Sequence, residues 1–441
     1  MGQERDEPWD PNTTYVIGHQ RPDMDAIGAA IGKAWLMQVT TNENVVAARA
    51  GQVGSQSRFA LEKFSVQSPR LLASVSPTFS HVAHHQSPVD PKSPFTDALL
   101  RLANGERVVP VVKEDGTLLG GLGPTALARA YANLASHLSD SDPPSWDHLI
   151  EALPTYQARD HLLDHRNALL RSEGDDFLVA NSAGKYFGTV TRRQVLTPPR
   201  ARLVLVDHNE ISQAVAGADE AEIISVIDHH RLGNAMTATP IPFIVEPVGS
   251  TCTLIAEACL WNPHTVPKSI AGVMLSGILS DTLIFKSPTT TTRDRAAAVW
   301  LADNAEVDLY KYGRDLIDAS PGLSDRPASD IIDADRKNYD MASRTVSIAQ
   351  IEVTDLNEIP DRRADLLGAL LERLEREQLS FICLMVTDVI TLKSHLLCQA
   401  DSALLGQLPF PRVADREYEL GAMVSRKKQL VPALQSVLED L

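Results

Sequence analysis

Three short apolar runs, each stopping abruptly on Asp and His, limit what this chain can fold into more than any other feature. "ARLVLVDHNE" is apolar from 203 to 206 and ends in Asp207, His208, Asn209 and Glu210. "EIISVIDHHRLGN" repeats the design, apolar from 223 to 227 and then Asp228, His229 and His230. "YVIGHQRPDMDAIGAAIGKAW" runs apolar to Ile17, turns at Gly18 and presents His19, Asp23 and Asp25 within seven residues. Short β-branched runs are expected of parallel strands covered on both faces. From Asp25 onward the pattern is helical, with Ile27, Ile31 and Ala34 on one face, and Pro22 marks the break. Strands alternating with helices predict an α/β fold with a doubly wound, mostly parallel sheet. In such sheets ligands bind in the crevice at the carboxyl ends of the strands.

Taken singly, each turn has an ordinary explanation as a helix cap or a solvated strand end. Together they do not. Asp281, closing the apolar segment "AGVMLSGILSDT", is read as a fourth segment end of the same kind. Parallel strand ends converge on one edge, and crowded aspartates repel unless cations lie among them. His19, Asp23, Asp25, Asp207, His229 and Asp281 offer mixed oxygen and nitrogen ligands for two divalent ions. Carboxylate with imidazole suits Mn²⁺, Zn²⁺, Co²⁺ or Fe²⁺ better than Mg²⁺ or Ca²⁺ alone.

Composition narrows the partners. The formal net charge is −16 over 441 residues, and basic residues nowhere form a long run. A general nucleic-acid or membrane-surface binder needs clustered Lys and Arg, so neither partner is expected. A small anion remains compatible, because a local pocket charge can oppose the global field. Cys252, Cys259, Cys383 and Cys398 lack any Cys-x-x-Cys spacing and have apolar neighbours, as reduced core cysteines do. The polar, acidic start "MGQERDEPWDPNTT" resembles no targeting segment, and the expected location is the cytoplasm.

In order along the chain, "GHQRPDMDA", "LVDHNE", "VIDHH", "EPVGST", "LSDTLIFKSPT" and "SRKKQLVP" resemble the DHH phosphoesterase superfamily, specifically its manganese-dependent family II inorganic pyrophosphatases. The resemblance implies hydrolysis of pyrophosphate at two Mn²⁺ or Co²⁺ ions, with Mg²⁺ accompanying the substrate, in a homodimer. It further implies that His19 and Asp23 hold one ion, that Asp25, His229 and Asp281 hold the other, and that Asp207 bridges both. Asp228 and His208 then support neighbouring imidazoles and ligands.

Far more chain separates His19 from Asp207 than one crossover helix needs. The surplus, residues 66–199, reads as an inserted module with two similar halves. "PFTDALLRLANGERVVPVVKEDGTLLGGLG" and "ARDHLLDHRNALLRSEGDDFLVANSAGKYFGTV" each give a helix, a strand, a Gly turn and a second strand. This tandem resembles a CBS-domain pair, which implies regulation by an adenine nucleotide (AMP, ADP or ATP) with Thr191 as a candidate contact. The second half places Gln194 where an Asp is the usual nucleotide ligand, and the first has Pro124 and Leu127 at the corresponding positions. "HVAHHQ" and "RDHLLDHRN" lie outside the strand-end constellation, and the latter is read as a solvated helix face.

"RDLIDASPGLSDRPASDII" reads as a linker. Beyond it, "RTVSIAQIEV" alternates as a strand, "DRRADLLGALLERLEREQ" is an amphipathic helix and "SFICLMVTDVI" a buried strand. These predict a smaller α/β domain, resembling DHHA2. The expected order is thus 1–65 and 200–318 for the split DHH domain, 66–199 for the insert and 319–441 for DHHA2. Near the end Arg426, Lys427 and Lys428 stand together in a strongly acidic chain. Arg forks phosphate oxygens and Lys supplies a compact charge. By resemblance Arg426, Lys427, Lys337 and His230 bind substrate phosphate. "FKSPTTTTRDR" reads as a helix cap rather than as catalytic.

Two other readings compete. Another DHH hydrolase, an exopolyphosphatase or a phosphodiesterase for short oligonucleotides or cyclic dinucleotides, would share the metal site. The "GGGH" block of nuclease-type relatives is absent, and the second His of "DHH" is intact. A catalytically silent nucleotide sensor would have no need of the full ligand set.

Overall fold

The computed structural model describes residues 8–136, 146, 149–233, 237, 239–319, 322–323, 326–342, 344–353, 356–388 and 391–439. In chain order the first strands are β1 (Thr14–Ile17), β2 (Val45–Arg49) and β3 (Arg70–Leu71). The insert contributes β4 (Val109–Val112), β5 (Leu118–Leu122), β6 (Thr155–Gln157), β7 (Asp176–Ala180) and β8 (Tyr186–Thr191). Then follow β9 (Arg202–Val206), β10 (Glu222–Asp228) and β11 (Phe243–Val245). A wholly parallel sheet runs β11-β10-β9-β1-β2-β3. Alternate residues of these strands enter different layers. Val16, Val204, Val206 and Ile227 join the core on one side, and Tyr15, Ile17, Leu203, Leu205 and Val226 the core on the other. Burial on both faces is why the runs are continuously apolar.

β1 is the topological switch point: the chain proceeds to β2 and β3 on one side and, after the insert, to β9, β10 and β11 on the other. The crevice there opens between the ends of β1 and β9. Helix Met24–Thr40 starts in it, capped by Asp23. It packs against helix Lys268–Asp281 within the same core.

Three expectations need correction. Asp281 ends a helix, not a strand. β3 pairs with β2 and Leu72 and Val75 are core residues of the DHH layer, so that sheet continues beyond residue 65. The stretch read as a linker is largely helical, with Leu309–Asp318 and Ala328–Ala334 flanking a short connection. Leu323, Ile331 and Ile332 are buried in the following domain. Residues 320, 321, 324 and 325 of that stretch, and much of the connection between the insert's halves, lie outside the described residues.

The insert has the two-halved arrangement expected of it. Helix Phe95–Ala103 covers the β4-β5 hairpin, helix Leu162–Arg171 covers β6-β7-β8, and each half has its own core. Asp160 and His161 precede the helix, so the helix face expected over this stretch begins only at Leu162; Asp160 approaches His165 at 3.4 Å.

The C-terminal domain is a mixed sheet of β12 (Arg336–Met341), β13 (Arg344–Val353), β14 (Phe381–Asp388), β15 (Lys393–Ala400), β16 (Arg412–Ala414) and β17 (Glu417–Gly421). Its order is β12-β13-β14-β15-β17-β16, parallel only between β13 and β14. Helix Ile359–Arg376 packs on one face and helix Val431–Glu439 on the other. All eight residues of β14 are buried. Each large apolar side chain there contributes about 1.5–3 kcal/mol of burial. The four cysteines are reduced and buried.

Candidate metal centre

Each ligand-type side chain reaches the crevice from a different turn. Asp207 follows β9 with a φ of 61°, a left-handed conformation that Asp tolerates better than most residues. This bend aims its two carboxylate oxygens apart. Oδ2 lies 3.5 Å from His19 Nε2, and Oδ1 lies 3.4 Å from His229 Nε2. His19 Nε2 is also 3.5 Å from Asp23 Oδ2, while Asp23 Oδ1 caps the helix by accepting from the Ala26 N–H. One carboxylate thus serves both explanations offered for it. His229 Nε2 is 3.4 Å from Asp281 Oδ2 and 3.9 Å from Asp25 Oδ2. Three groups result among the described residues, His19–Asp23–Asp207, Asp25–Asp207–His229–Asp281 and Asp207–His229–His230, all sharing Asp207; each could hold a metal ion.

All six expected ligands therefore meet, including Asp281 from its helix end. After Asp281 the chain turns through three successive left-handed residues, Leu283, Ile284 and Phe285. Such backbone costs of order 1–2 kcal/mol per residue. The close approach of this helix depends on Gly277, where a Cβ would lie 2.9 Å from Asp25 Oδ1.

The electrostatics fit cations. Asp207 Oδ2 and His229 Nε2 are buried and lack a hydrogen-bond partner, a costly state that a bound cation would relieve. Burial disfavours a charged His19 ring, yet the Asp207 and Asp23 carboxylates, each 3.5 Å from Nε2, outweigh it and lift its pKa to about 10. His229 rises to about 9 in the same way, burial being overcome by Asp207 and Asp25. Burial and the Asp207 charge push Asp25 up to about 7, and burial with the fields of Asp25, Asp23 and Asp207 pushes Asp281 well above the usual carboxylate range.

Asp228 and His208, expected to support the ligands, both lie buried beside them. Asp228 is fully buried; its Oδ1 accepts from His230 Nδ1 at 2.8 Å and from the His229 backbone N–H at 2.8 Å. His208 Nδ1 lies 2.9 Å from the Val206 carbonyl, and burial keeps its ring neutral, with a pKa of about 4. Sequence reasoning missed the donors to Asp25. Ser250 Oγ, the Thr251 N–H and the Cys252 N–H donate to its carboxylate at 2.6, 2.6 and 3.0 Å. The available signal was Ser250 itself, an N-cap preceding helix Thr251–Leu260.

The basic wall comes from the second domain. Lys337 lies on β12, and Arg426, Lys427 and Lys428 lie in the π-turn Arg426–Leu430. Lys427 stands at the open cleft. Surrounding protein, Lys337 and Arg426 lower its pKa to about 8, against a pull from Asp207. Arg426 is buried and already engaged, donating to the Asp335 carbonyl at 2.6 Å and to Asp335 Oδ1 at 2.8 Å. Arg21, between His19 and Asp23, donates across the cleft to the Arg336 carbonyl. In the insert, the Thr191 hydroxyl caps helix Arg192–Leu196 and donates to Gln194 Oε1 at 2.8 Å, far from this centre in function and occupied locally.

Similarity to known proteins agrees with this geometry. The DHH family N-terminal domain matches residues 13–278, and the DHHA2 domain matches residues 314–437. A protein of Enterococcus faecalis named a probable manganese-dependent inorganic pyrophosphatase is 40% identical over 237 residues, covering 54% of this chain and 77% of its own. A protein of the same name from Staphylococcus haemolyticus is 28% identical, with 96% of this chain and 98% of its own aligned. The crystal structure of a Methanococcus jannaschii protein described as a family II inorganic pyrophosphatase shares the fold, with a TM-score of 0.60 at 24% identity, covering 96% of this chain and 99% of that one. No described helix is long and apolar enough to cross a membrane. The chain belongs to the manganese-dependent family II inorganic pyrophosphatases, with DHH and DHHA2 domains.

Proposed function

We propose that the protein hydrolyses inorganic pyrophosphate to two phosphates with a pair of Mn²⁺ or Co²⁺ ions. The observation that carries this reading is the placement of the two Asp207 oxygens, one against His19 and the other against His229. His19, Asp23 and Asp207 would hold one ion, and Asp25, His229, Asp281 and Asp207 the other. When bound, such a pair lowers the pKa of water toward neutrality and polarises phosphoryl oxygens. The protein's own part is to bind and orient. Lys337, Lys427 and His230 face the substrate's negative charge, with Mg²⁺ accompanying it, and neutralise charge that develops on the phosphoryl oxygens. Arg426 joins them by resemblance from a buried position, where its terminal nitrogens fix Asp335 and its Nε is enclosed without a partner.

Two finer readings accompany this one. The insert is a CBS-type regulatory pair that takes an adenine nucleotide; because Thr191 is engaged as a cap, a nucleotide contact there requires the Thr191–Gln194 bond to open. The protein works as a homodimer, a reading that rests on the family resemblance and on the general prevalence of symmetric dimers among oligomers.

The test is a substrate panel. Metal-free protein reconstituted with Mn²⁺ or Co²⁺ is offered pyrophosphate, tripolyphosphate and a dinucleotide, with AMP, ADP and ATP added in turn. Pyrophosphate is expected to be cleaved fastest. Release from the dinucleotide alone moves the assignment to another DHH hydrolase, and release from none favours a silent sensor. Rates indifferent to every nucleotide remove the regulatory reading.

A further inference from the structure

The segment 248–252 touches the ligands of the second ion from behind. The Val248 carbonyl lies 3.1 Å from His229 Nδ1, which fixes the ring with Nε2 toward the carboxylates. Ser250, Thr251 and Cys252 donate to Asp25, and Thr251 Oγ1 also donates to Asp207 Oδ1 at 3.1 Å. Gly249 sits against the residue after Asp281: a Cβ there would fall 2.7 Å from Thr282 Cγ2. Five consecutive residues thereby set His229, Asp25 and Asp207 and abut the turn after Asp281.

What anchors these five is Asp294, which belongs to none of the metal groups. It is fully buried in the first turn of helix Thr292–Ala305. Its Oδ1 and Oδ2 accept from the Gly249 N–H at 3.0 and 2.9 Å, and its Oδ1 accepts from Thr253 Oγ1 at 2.6 Å. Its Oδ2 also accepts from the N–H and hydroxyl of Thr291, both at 2.7 Å, closing the capping box that begins this helix. A buried carboxylate without a cationic partner is costly unless donors saturate it. Here four donor groups from two elements do so, and the two elements are locked together as a result.

We propose that Asp294 is a positioning residue for the second cation. By pinning Gly249 and Thr253 it holds the 248–252 segment in the one arrangement that presents His229 Nε2 and the Asp25 carboxylate to the same point. The inference rests on the two-cation reading. Partners that orient metal ligands are typically worth about 10–100-fold in metal affinity. Asp294→Asn keeps the shape but turns an NH₂ group toward at least one of the four donors, so the segment must shift.

The experiment titrates Mn²⁺ into metal-depleted wild type, Asp294→Asn and Thr253→Val, by calorimetry and by the spin-coupled Mn²⁺ resonance signal, with thermal melts recorded with and without Mn²⁺. In Asp294→Asn one of two ions is expected to bind about 10–100-fold more weakly. The other ion keeps its affinity, excess Mn²⁺ restores kcat, and KM for pyrophosphate at saturating Mn²⁺ is unchanged. Thr253→Val, which removes one donor, shifts the same ion in the same direction by less. Wild-type affinity for both ions in Asp294→Asn overturns the proposal, as does a melting temperature lowered equally with and without Mn²⁺ at unaltered affinity. Should Asp294→Asn not fold, wild-type affinities in Thr253→Val overturn it. A wild type that binds no pair of ions instead overturns the two-cation reading itself.

Discussion

His19 Nε2 and Asp207 Oδ2 stand 3.5 Å apart although the whole inserted module separates them in sequence. The parallel pairing of β1 with β9 brings them together, because residues following adjacent parallel strands leave the sheet at the same edge. The insert returns to the sheet at Arg202, the amino end of β9 and the edge opposite this one, and leaves the pairing unaltered. The relationship has direct consequences for binding, stability and catalysis.

Metal uptake is expected to release protons. His19 and His229, with pKa values of about 10 and 9, are charged at pH 7, and an imidazolium cannot ligate. Mn²⁺ titration at pH 7 in buffers of different ionisation enthalpy should show at least about two protons released per pair of ions, from His19 and His229 and in part from the raised carboxyls of Asp25 and Asp281, and tighter binding as pH rises. Uptake without proton release contradicts this. In the metal-free protein these raised values give stability that is fully present below pH 6.5 and is lost as pH rises through about 9 to 10.

Asp207→Asn and Asp207→Ala should part company. Both remove the shared carboxylate and are expected to lower kcat/KM by at least about a thousandfold, since both ions lose a ligand. Asn accepts the left-handed φ of 61° and Ala does not do so readily. Denaturant unfolding of the metal-free variants should therefore place Asp207→Ala about 1 kcal/mol below Asp207→Asn. Equal stability would show that the bend is not strained.

Lys427 should report on the substrate. With a pKa near 8 in the free cleft it begins to lose its charge above that pH. A bound pyrophosphate anion raises that value, so binding above pH 8 takes up a proton and affinity weakens as pH rises through 8. Calorimetry with a non-hydrolysed diphosphate analogue on the metal-loaded enzyme measures this. Lys427→Arg, charged throughout, should abolish the proton uptake.

Arg21 joins the loop between two metal ligands to the strand that carries Lys337, by its bond to the Arg336 carbonyl. A hydrogen bond of this kind contributes about 1 kcal/mol. Arg21→Met should accordingly raise KM for pyrophosphate roughly fivefold while leaving Mn²⁺ affinity unchanged. A fall in metal affinity with KM intact would place Arg21 with the metal loop alone.

The strands and their terminal ligands were legible because burial on both faces forces an unbroken apolar run, and the first polar residue then marks the crevice. The same logic misplaced Asp281. Helix Lys268–Asp281 is buried nearly all round, so "AGVMLSGILS" carries no period that separates helix from strand. The linker reading failed for a related reason: Ser, Pro and Asp in "SPGLSDRPASD" mask Leu323, Ile331 and Ile332, whose burial depends on tertiary packing. The Thr run that contains Thr291 was visible as a helix cap, which Thr291 is, but the part played by Asp294 in that cap was not. Its reach to Gly249 and Thr253 was not visible, because no spacing rule links helix starts 41 residues apart. Engagement of Arg426 by Asp335 was hidden similarly, since it depends on the fold bringing a π-turn against β12.

Anomalous diffraction at the manganese edge from crystals of the Mn²⁺-loaded protein tests the central claim most directly. Two peaks about 3.5–4 Å apart are expected on either side of the Asp207 carboxylate, one beside His19 and Asp23 and the other beside Asp25, His229 and Asp281. A single peak, or peaks away from Asp207, would contradict it.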